Sequence, residues 1–131
     1  MPEYINPEGW PRPPGYSNVV AAEGRMVFVA GQIGWDENQV FHSDDFVAQV
    51  RQTLLNTKAC LEAAGAAPEH IVRMTWYVTD KQEYLAALKE VGGTYREILG
   101  KVFPAMALVQ VADLVEERAK VEIETTAVIG R

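Results

Sequence analysis

The chain has 131 residues, of which 48% are hydrophobic and 23% charged, as in an ordinary globular domain with one core. Its net charge of −6 and its isoelectric point of about 4.9 oppose binding to nucleic acid, whose phosphates require clusters of Lys and Arg that this sequence lacks. No stretch reaches the ~18 apolar residues of a membrane span, and the polar N-terminus is unlike a signal peptide, so we expect a cytoplasmic protein.

The single cysteine and the two histidines limit the chemistry that the chain can perform. Cys60 excludes a disulfide within the chain, and no Cys/His pattern for zinc can be assembled. Cys60 falls in a helical apolar pattern, where a small buried hydrophobe is expected. His42 and His70 precede predicted elements, and we interpret them as surface or boundary residues rather than metal ligands.

The first fifteen residues contain five prolines, which favour extended geometry and resist helix formation. We interpret residues 1–15 as an N-terminal arm. The aromatic residues Tyr4 and Trp10 favour docking of this arm onto the domain's own surface over recognition of its prolines by a partner domain.

Two short apolar runs follow the arm. Residues 16–22 and residues 26–33 are predicted as strands with a Glu-Gly turn between them, so the two should form a hairpin. Gly31 and Gly34 interrupt the far end of the second strand. This interruption predicts a bulge or a close approach of other groups.

The middle of the chain alternates helical and strand patterns. Ser43 is the predicted N-cap of a helix whose apolar residues recur at helical spacing from Phe46 until Gly65 ends it. Alternating apolar residues predict a strand over Ile71–Val78, and a second helix is predicted over residues 81–99.

Gly92 and Gly93 interrupt the second predicted helix, at a cost of roughly 1 kcal/mol for each glycine relative to alanine. Such a pair indicates a place where another group approaches the helix closely. A plain contact between helix and sheet is the favoured interpretation, and an approaching ligand is the alternative.

The C-terminal stretch contains two further apolar strands, residues 107–111 and 120–128, with Pro104 shortly before the first. In the second strand Glu122 and Glu124 share one face, and apolar residues and a threonine occupy the other. A strand with one face in water accounts for this alternation without any chemistry. The alternative is that one glutamate lines a pocket and transfers protons, and the spacing does not decide between the two.

The predicted order of elements is β-β-α-β-α-β-β, which fits an α+β fold with both helices on one face of a sheet. The other face of such a sheet is left partly uncovered. Burial against another copy of the chain is the natural solution, so we predict an oligomer.

Several short motifs occur in a fixed order along the chain, each of them weak alone. They are Gly15-Tyr16-Ser17, Val29-Ala30-Gly31-Gln32, Asn56, Ala63-Ala64-Gly65, Thr94-Tyr95, Phe103-Pro104-Ala105 and Val121-Glu122-Ile123-Glu124. Because of their order and spacing, the chain resembles the RidA (YjgF) family of small imine and enamine deaminases over about residues 15–128.

This resemblance implies a single RidA-like domain over residues 1–131 with a chorismate-mutase-like α+β fold, in which two helices pack on one face of a mixed β-sheet. It also implies a homotrimer. The small-molecule sites of such a trimer lie in clefts between neighbouring subunits, and the activity requires no metal and no organic cofactor.

The resemblance further implies a substrate site in which one residue is replaced. In family deaminases an arginine follows the Pro-Ala pair and holds the substrate carboxylate, and here that residue is Met106. Glu122 matches the catalytic glutamate that positions the attacking water. The remaining substrate-binding residues implied by the resemblance, or by an apolar pocket around Met106, are Tyr16, Gly31, Trp76, Gly92, Ala105 and Leu108.

Loss of the arginine removes the main orienting contact of a 2-imino acid. Arg51, Arg73 and Arg96 are candidates to replace it, although nothing in the sequence brings any of them to the site.

Three functions remain open at this point. The first, which we adopt, is hydrolytic deamination of an imine, an enamine or a related small molecule, with a preference altered by Met106. The second is a non-catalytic protein that binds a small apolar or aromatic molecule in the same clefts. The third, an endoribonuclease, is opposed by the acidic charge and by the lack of a general-base histidine pair and a basic groove.

Overall fold

The computed structural model describes residues 2–130; Met1 and Arg131, the two ends of the predicted domain, lie outside the described residues. The strands are β1 (Glu3–Ile5), β2 (Val19–Ala21), β3 (Arg25–Gln32), β4 (Ile71–Val78), β5 (Ala105–Gln110) and β6 (Val121–Ile129). The helices are α1 (Phe46–Ala63), α2 (Lys81–Ala86) and α3 (Leu88–Leu99), and a 3-10 turn (Pro68–His70) precedes β4.

Four of the strands form a mixed sheet in the order β3-β6-β4-β5. The pairs of β6 with β3 and with β4 are antiparallel, whereas β4 and β5 are parallel. The core lies between one face of this sheet and the helices, where Leu54 and Leu61 of α1 and Met74 and Ile123 of the sheet are fully buried. The predicted α+β fold with a mixed sheet and helices on one face is therefore confirmed.

The predicted hairpin between residues 16–22 and 26–33 is wrong. The strand β2 pairs antiparallel with β1 in a separate two-stranded sheet, and β3 pairs with β6. The turn itself exists, with Gly24 at a positive φ of 145°. A turn signal fixes a change of direction but not the pairing partner, and here the preceding strand pairs with the arm.

The arm is held mainly by backbone pairing rather than by its aromatic side chains. The β1 strand hydrogen-bonds with β2, whereas Tyr4 and Trp10 remain 50% and 60% exposed. Asn6 adds a turn within the arm, since its side-chain amide donates to the carbonyl oxygen of Trp10 at 2.9 Å.

Two helix boundaries differ from the prediction. Asp45, and not Ser43, caps α1, because its carboxylate accepts a hydrogen bond from the Ala48 amide at 2.9 Å. Gly65 follows the end of α1 with a φ of 79°, as predicted for a helix-ending glycine. The second predicted helix is divided into α2 and α3 at Ala87, whose φ and ψ of −121° and 22° are not helical. Residues 2–130 therefore form three α-helices rather than the two predicted.

The sheet face that points away from the helices is exposed, as the sequence predicts. Met26 and Phe28 of β3 are 57% and 72% exposed on this face, and Val109 of β5 is also exposed. Within residues 2–130, no helix has the length and apolar character needed to cross a membrane.

Candidate functional site

A cleft of about 560 Å³ opens on the helix side of the sheet, beside the edge strand β5. We call it the β5 cleft. Its walls come from the end of the arm, from β4 and β5, from α2 and α3, and from the segment between α3 and β5. The lining residues are Pro14, Gly15, Tyr16, Trp76, Tyr84, Leu88, Val91, Gly92, Tyr95, Arg96, Gly100, Phe103, Met106 and Leu108. This size and apolar character are typical of small-molecule sites.

Tyr16 reaches the cleft because the next residue is fixed to the segment before β5. The amide of Ser17 donates to the carbonyl oxygen of Pro104 at 3.0 Å, and its hydroxyl donates to that of Phe103 at 2.6 Å. These two bonds hold the end of the arm against the sheet edge, although the predicted hairpin with β3 does not form. Pro104 accepts the Ser17 bond through its carbonyl oxygen, and it has no backbone N–H to donate.

The register of the parallel strands β4 and β5 puts Met106 and Leu108 in the cleft. Met74 pairs with Met106 and Trp76 pairs with Leu108, and residues paired in this way point to the same side of a sheet. Since Met74 and Trp76 belong to the core, their partners on the edge strand point to the helix side as well.

The inner wall of the cleft consists of aromatic side chains that pack against each other. Trp76 is 4% exposed, and its ring centroid lies 6.4 Å from that of Tyr95. The hydroxyl of Tyr95 donates to the carbonyl oxygen of Val102 at 2.8 Å. Burial raises the pKa of Tyr95, so its phenol remains a neutral donor at physiological pH. The indole nitrogen Nε1 of Trp76 is buried and has no hydrogen-bond partner within residues 2–130.

The structure brings together five of the predicted site residues. They line the β5 cleft: Tyr16, Trp76, Gly92, Met106 and Leu108. Ala105 is the register partner of Arg73 and so lies on the opposite side of the sheet from its neighbour Met106.

The predicted catalytic residue Glu122 does not lie in the β5 cleft of its own chain. Glu122 pairs with Tyr77, and the two strand neighbours Ile123 and Trp76 pair with each other in the core. Because side chains alternate along a strand, Glu122 points to the exposed face, away from Met106. Within one chain, Glu122 and Met106 therefore lie on opposite sides of the sheet.

Glu122 and Gly31 instead meet each other on the exposed face. A Cβ atom at Gly31 would collide with the carboxylate of Glu122, so only glycine leaves this space free. The register of β3 with β6 also shifts between Val29 and Gln32, which confirms the predicted bulge near Gly31. The bulge and the missing side chain together provide room for the glutamate.

The two glutamates of β6 differ in their surroundings. The carboxylate of Glu124 accepts a hydrogen bond from the Tyr77 hydroxyl at 2.7 Å, and this bond raises the pKa of Tyr77. Glu122 forms no ion pair with any residue in the range 2–130. Of the two carboxylates, Glu122 is thus the one left available to a ligand or a water molecule.

The glycine pair of α3 does not mark a close contact between helix and sheet, and that interpretation is wrong. A Cβ atom added at Gly92 or Gly93 meets no heavy atom within 4 Å. Gly92 borders the β5 cleft, whereas Gly93 is exposed elsewhere on the helix. The alternative interpretation, that a ligand approaches the helix at the glycine pair, thus fits the position of Gly92 alone.

We expect Gly93→Ala to raise the free energy of unfolding by about 0.5–1 kcal/mol, because alanine loses less backbone entropy in a helix. Urea unfolding of this variant measures the effect. Gly92→Ala should stabilise the chain by a similar amount but also narrow the β5 cleft, so it serves as the matched variant for ligand studies. Destabilisation by Gly93→Ala would mean that another chain covers this position.

Several residues of the cleft escaped sequence analysis. Tyr84, Leu88 and Phe103 belong to three different segments, and only the folded chain brings them together. Arg96 carried a usable signal, because it follows Gly92 by four residues on a helix and therefore shares its face. Of the three candidate arginines, Arg96 alone lines the cleft.

Comparison with known proteins shows the family of the chain. The family model described as Endoribonuclease L-PSP matches residues 11–129. The chain is 37% identical to a RutC family protein of Pyrococcus horikoshii over 97% of this chain and 98% of that protein. It is 38% identical to a 2-iminobutanoate/2-iminopropanoate deaminase of Salmonella typhimurium, with 80% of each chain covered.

A solved structure gives the same result. The crystal structure of YyfB, a protein of unknown function of the conserved Rid protein family from Yersinia pestis, superimposes with a TM-score of 0.84. The sequence identity is 33%, and 98% of each chain is covered. The chain therefore belongs to the RidA (YjgF) family.

Proposed function

We propose that this protein is a hydrolytic deaminase of an imine, an enamine or a related small metabolite. The observation that carries the proposal is the available carboxylate of Glu122 beside Gly31, in a chain that is 38% identical to a named 2-iminobutanoate/2-iminopropanoate deaminase. In the proposed reaction Glu122 orients a water molecule and accepts its proton. The water oxygen adds to the C=N carbon, and Glu122 passes the proton to the nitrogen. The nitrogen of the tetrahedral adduct then takes the hydroxyl proton and leaves as ammonia, and a carbonyl product remains.

The proposed site requires two chains. In one chain the β5 cleft and Glu122 open on opposite sides of the same sheet, so a substrate held in the cleft can meet a glutamate only from a neighbouring copy. The exposed Met26 and Phe28 give the neighbouring copy an apolar surface to cover. A ring of three copies, the assembly that the family resemblance implies, would generate three such composite sites.

Light scattering should give about three times the chain mass of 14.5 kDa. Phe28→Glu, which adds a charge to the exposed sheet face, should reduce this mass because a desolvated charge opposes association. Leu85→Glu is the matched control: Leu85 is 50% exposed on α2 and does not line the cleft, so the trimer should persist. A wild-type protein with the mass of one chain would contradict both the trimer and the composite site.

The deaminase proposal is tested by ammonia release from a panel of imines generated in the assay from amino acids. We expect release above the spontaneous rate for at least one member, and equal rates with and without protein would overturn the proposal. The panel should span small, branched and aromatic side chains, since Met106 and the aromatic walls change the preference.

A non-catalytic binding protein is the second candidate. It is favoured by Met106, which replaces the arginine that holds the substrate carboxylate in family deaminases. A thioether offers no charge to orient a reacting carboxylate, but it packs well against an apolar ligand. Ligands that raise the melting temperature without being converted would support this candidate. An endoribonuclease remains opposed by the net charge of −6.

A further inference from the structure

Arg96 is the single residue with a charged side chain among those that line the β5 cleft. No carboxylate lines the cleft, so the charge is not neutralised within its walls. The other walls are mostly aromatic or aliphatic, with Trp76 and Tyr95 on the inner side and Tyr16 and Phe103 toward the sheet edge. The lining of the cleft is therefore mostly apolar, with one cationic residue.

Arg96 has no ion-pair partner within residues 2–130, whereas four of the ten other Lys and Arg side chains in this range are engaged. Arg51, Arg118 and Lys120 form ion pairs at 2.6–3.0 Å, and Arg25 donates to a backbone carbonyl oxygen at 2.8 Å. Within residues 2–130, Arg96 has no such ion pair. Its neighbour Glu97 is already occupied, because it binds Arg51. The five N–H donors of the Arg96 guanidinium thus remain available to an anion.

The position of Arg96 complements the replacement at position 106. Met106 lines the cleft from β5, and Arg96 lines it from the helix α3. A guanidinium binds a carboxylate through two parallel hydrogen bonds, which orients the anion as well as attracting it. Gly92, one turn before Arg96, leaves the cleft open because no side chain fills the space between this turn and the opposite wall.

We propose that Arg96 is the anion-binding residue of the β5 cleft, and that its ligand is a monocarboxylate with an aromatic or large apolar body. The carboxylate lies at α3, and the body packs between Met106 and the aromatic walls. One consequence of this inference, that the substrates are 2-imino acids with large side chains, rests on the proposed function. The binding statement is independent of turnover.

A purely local role for Arg96 is the competing explanation. It lies in the last turn of α3, where a cation stabilises the helix through the helix dipole. That role predicts a change in stability when the charge is removed, and no change in ligand selectivity. A binding experiment therefore separates the two roles.

The experiment is calorimetric titration of the full chain with 3-phenylpropanoate and with 3-phenylpropanamide, which have nearly the same shape but differ in charge. Wild type should bind the acid at least tenfold more tightly than the amide. Arg96→Gln should lose this preference by weakening the acid alone, and Arg96→Lys should keep part of it. Lys89→Gln is the matched control, because it removes the same charge from α3 two turns away, at an exposed residue outside the cleft.

Equal affinity of wild type for the acid and the amide would overturn the proposal, as would absence of binding for both. An equal loss of acid binding in Lys89→Gln would also overturn it, because net charge and not the cleft would then govern affinity. Ammonia release is not measured in this experiment. A protein that binds the acid through Arg96 but releases no ammonia would contradict the deaminase alone, and a deaminase without acid preference would contradict Arg96 alone.

Discussion

Glu122→Gln should lower the rate of imine hydrolysis by roughly two to four orders of magnitude, the usual contribution of a general base. Glutamine keeps the volume and most of the hydrogen-bonding capacity of glutamate, but it cannot accept a proton at neutral pH. The Glu122 side chain is half-buried beside Gly31, on the sheet face that points away from the helices. It forms no ion pair within residues 2–130, so little folding energy depends on its charge. The fold and the assembly should therefore survive.

Glu124→Gln is the matched control for this prediction. Glu124 lies two residues away on the same face, and it already accepts the hydrogen bond of Tyr77. Glutamine can still accept that bond, so the rate should change little, while the pKa of Tyr77 should fall toward its usual value as the charge is lost. Both variants are compared with wild type in one ammonia assay, together with melting temperature and mass. Equal rates for wild type and Glu122→Gln would remove Glu122 from the mechanism, and loss of the folded assembly would indicate a structural role instead.

The position of Glu122 illustrates what the sequence could and could not predict. The two-residue period correctly puts Glu122 and Glu124 on one face of β6. It does not say which residues of β5 share that face, because the relation between two strands depends on their pairing. Here β5 pairs in parallel with β4 and not with β6, which follows it in the chain. The family resemblance implies Glu122 and Met106 as site residues, but it carries no information on which side of the sheet each of them lies.

Local signals succeeded where the element is determined by its own burial. The bounds predicted for Ile71–Val78 agree with β4, a strand paired on both sides whose alternate residues lie in the core. Local signals failed where contacts with a distant segment determine the pairing of a strand or the end of a helix. The strand at residues 19–21 pairs with the arm, and the Ala87 break interrupts a helix whose apolar period continues through it. The cleft residues Tyr84 and Phe103 have no common pattern in the sequence, because tertiary contacts alone unite them.

Met106→Arg should raise the hydrolysis rate of small 2-imino acids by roughly tenfold to a hundredfold, measured as kcat/KM for ammonia release. A charge-assisted hydrogen bond to a carboxylate contributes on the order of 1.5–3 kcal/mol, and about 1.4 kcal/mol corresponds to a tenfold change in rate. Met106 lines the cleft and packs only partly against the core, so the methylene stem of arginine can lie along the same apolar wall while its guanidinium reaches the cleft. Small substrates gain most, because they lack the apolar body that holds a large substrate in place.

Met106→Leu is the control for this last variant, since it changes the shape of the wall without adding a charge, and it should give no gain with small substrates. For 2-imino acids with large side chains, Met106→Arg should give a smaller gain or a loss, because the new guanidinium occupies volume that an apolar body would fill. The melting temperatures of both variants show whether the fold tolerates the change. If wild type already hydrolyses the smallest 2-imino acid as fast as Met106→Arg does, the arginine position has no influence on preference, and the altered specificity assigned to Met106 is wrong.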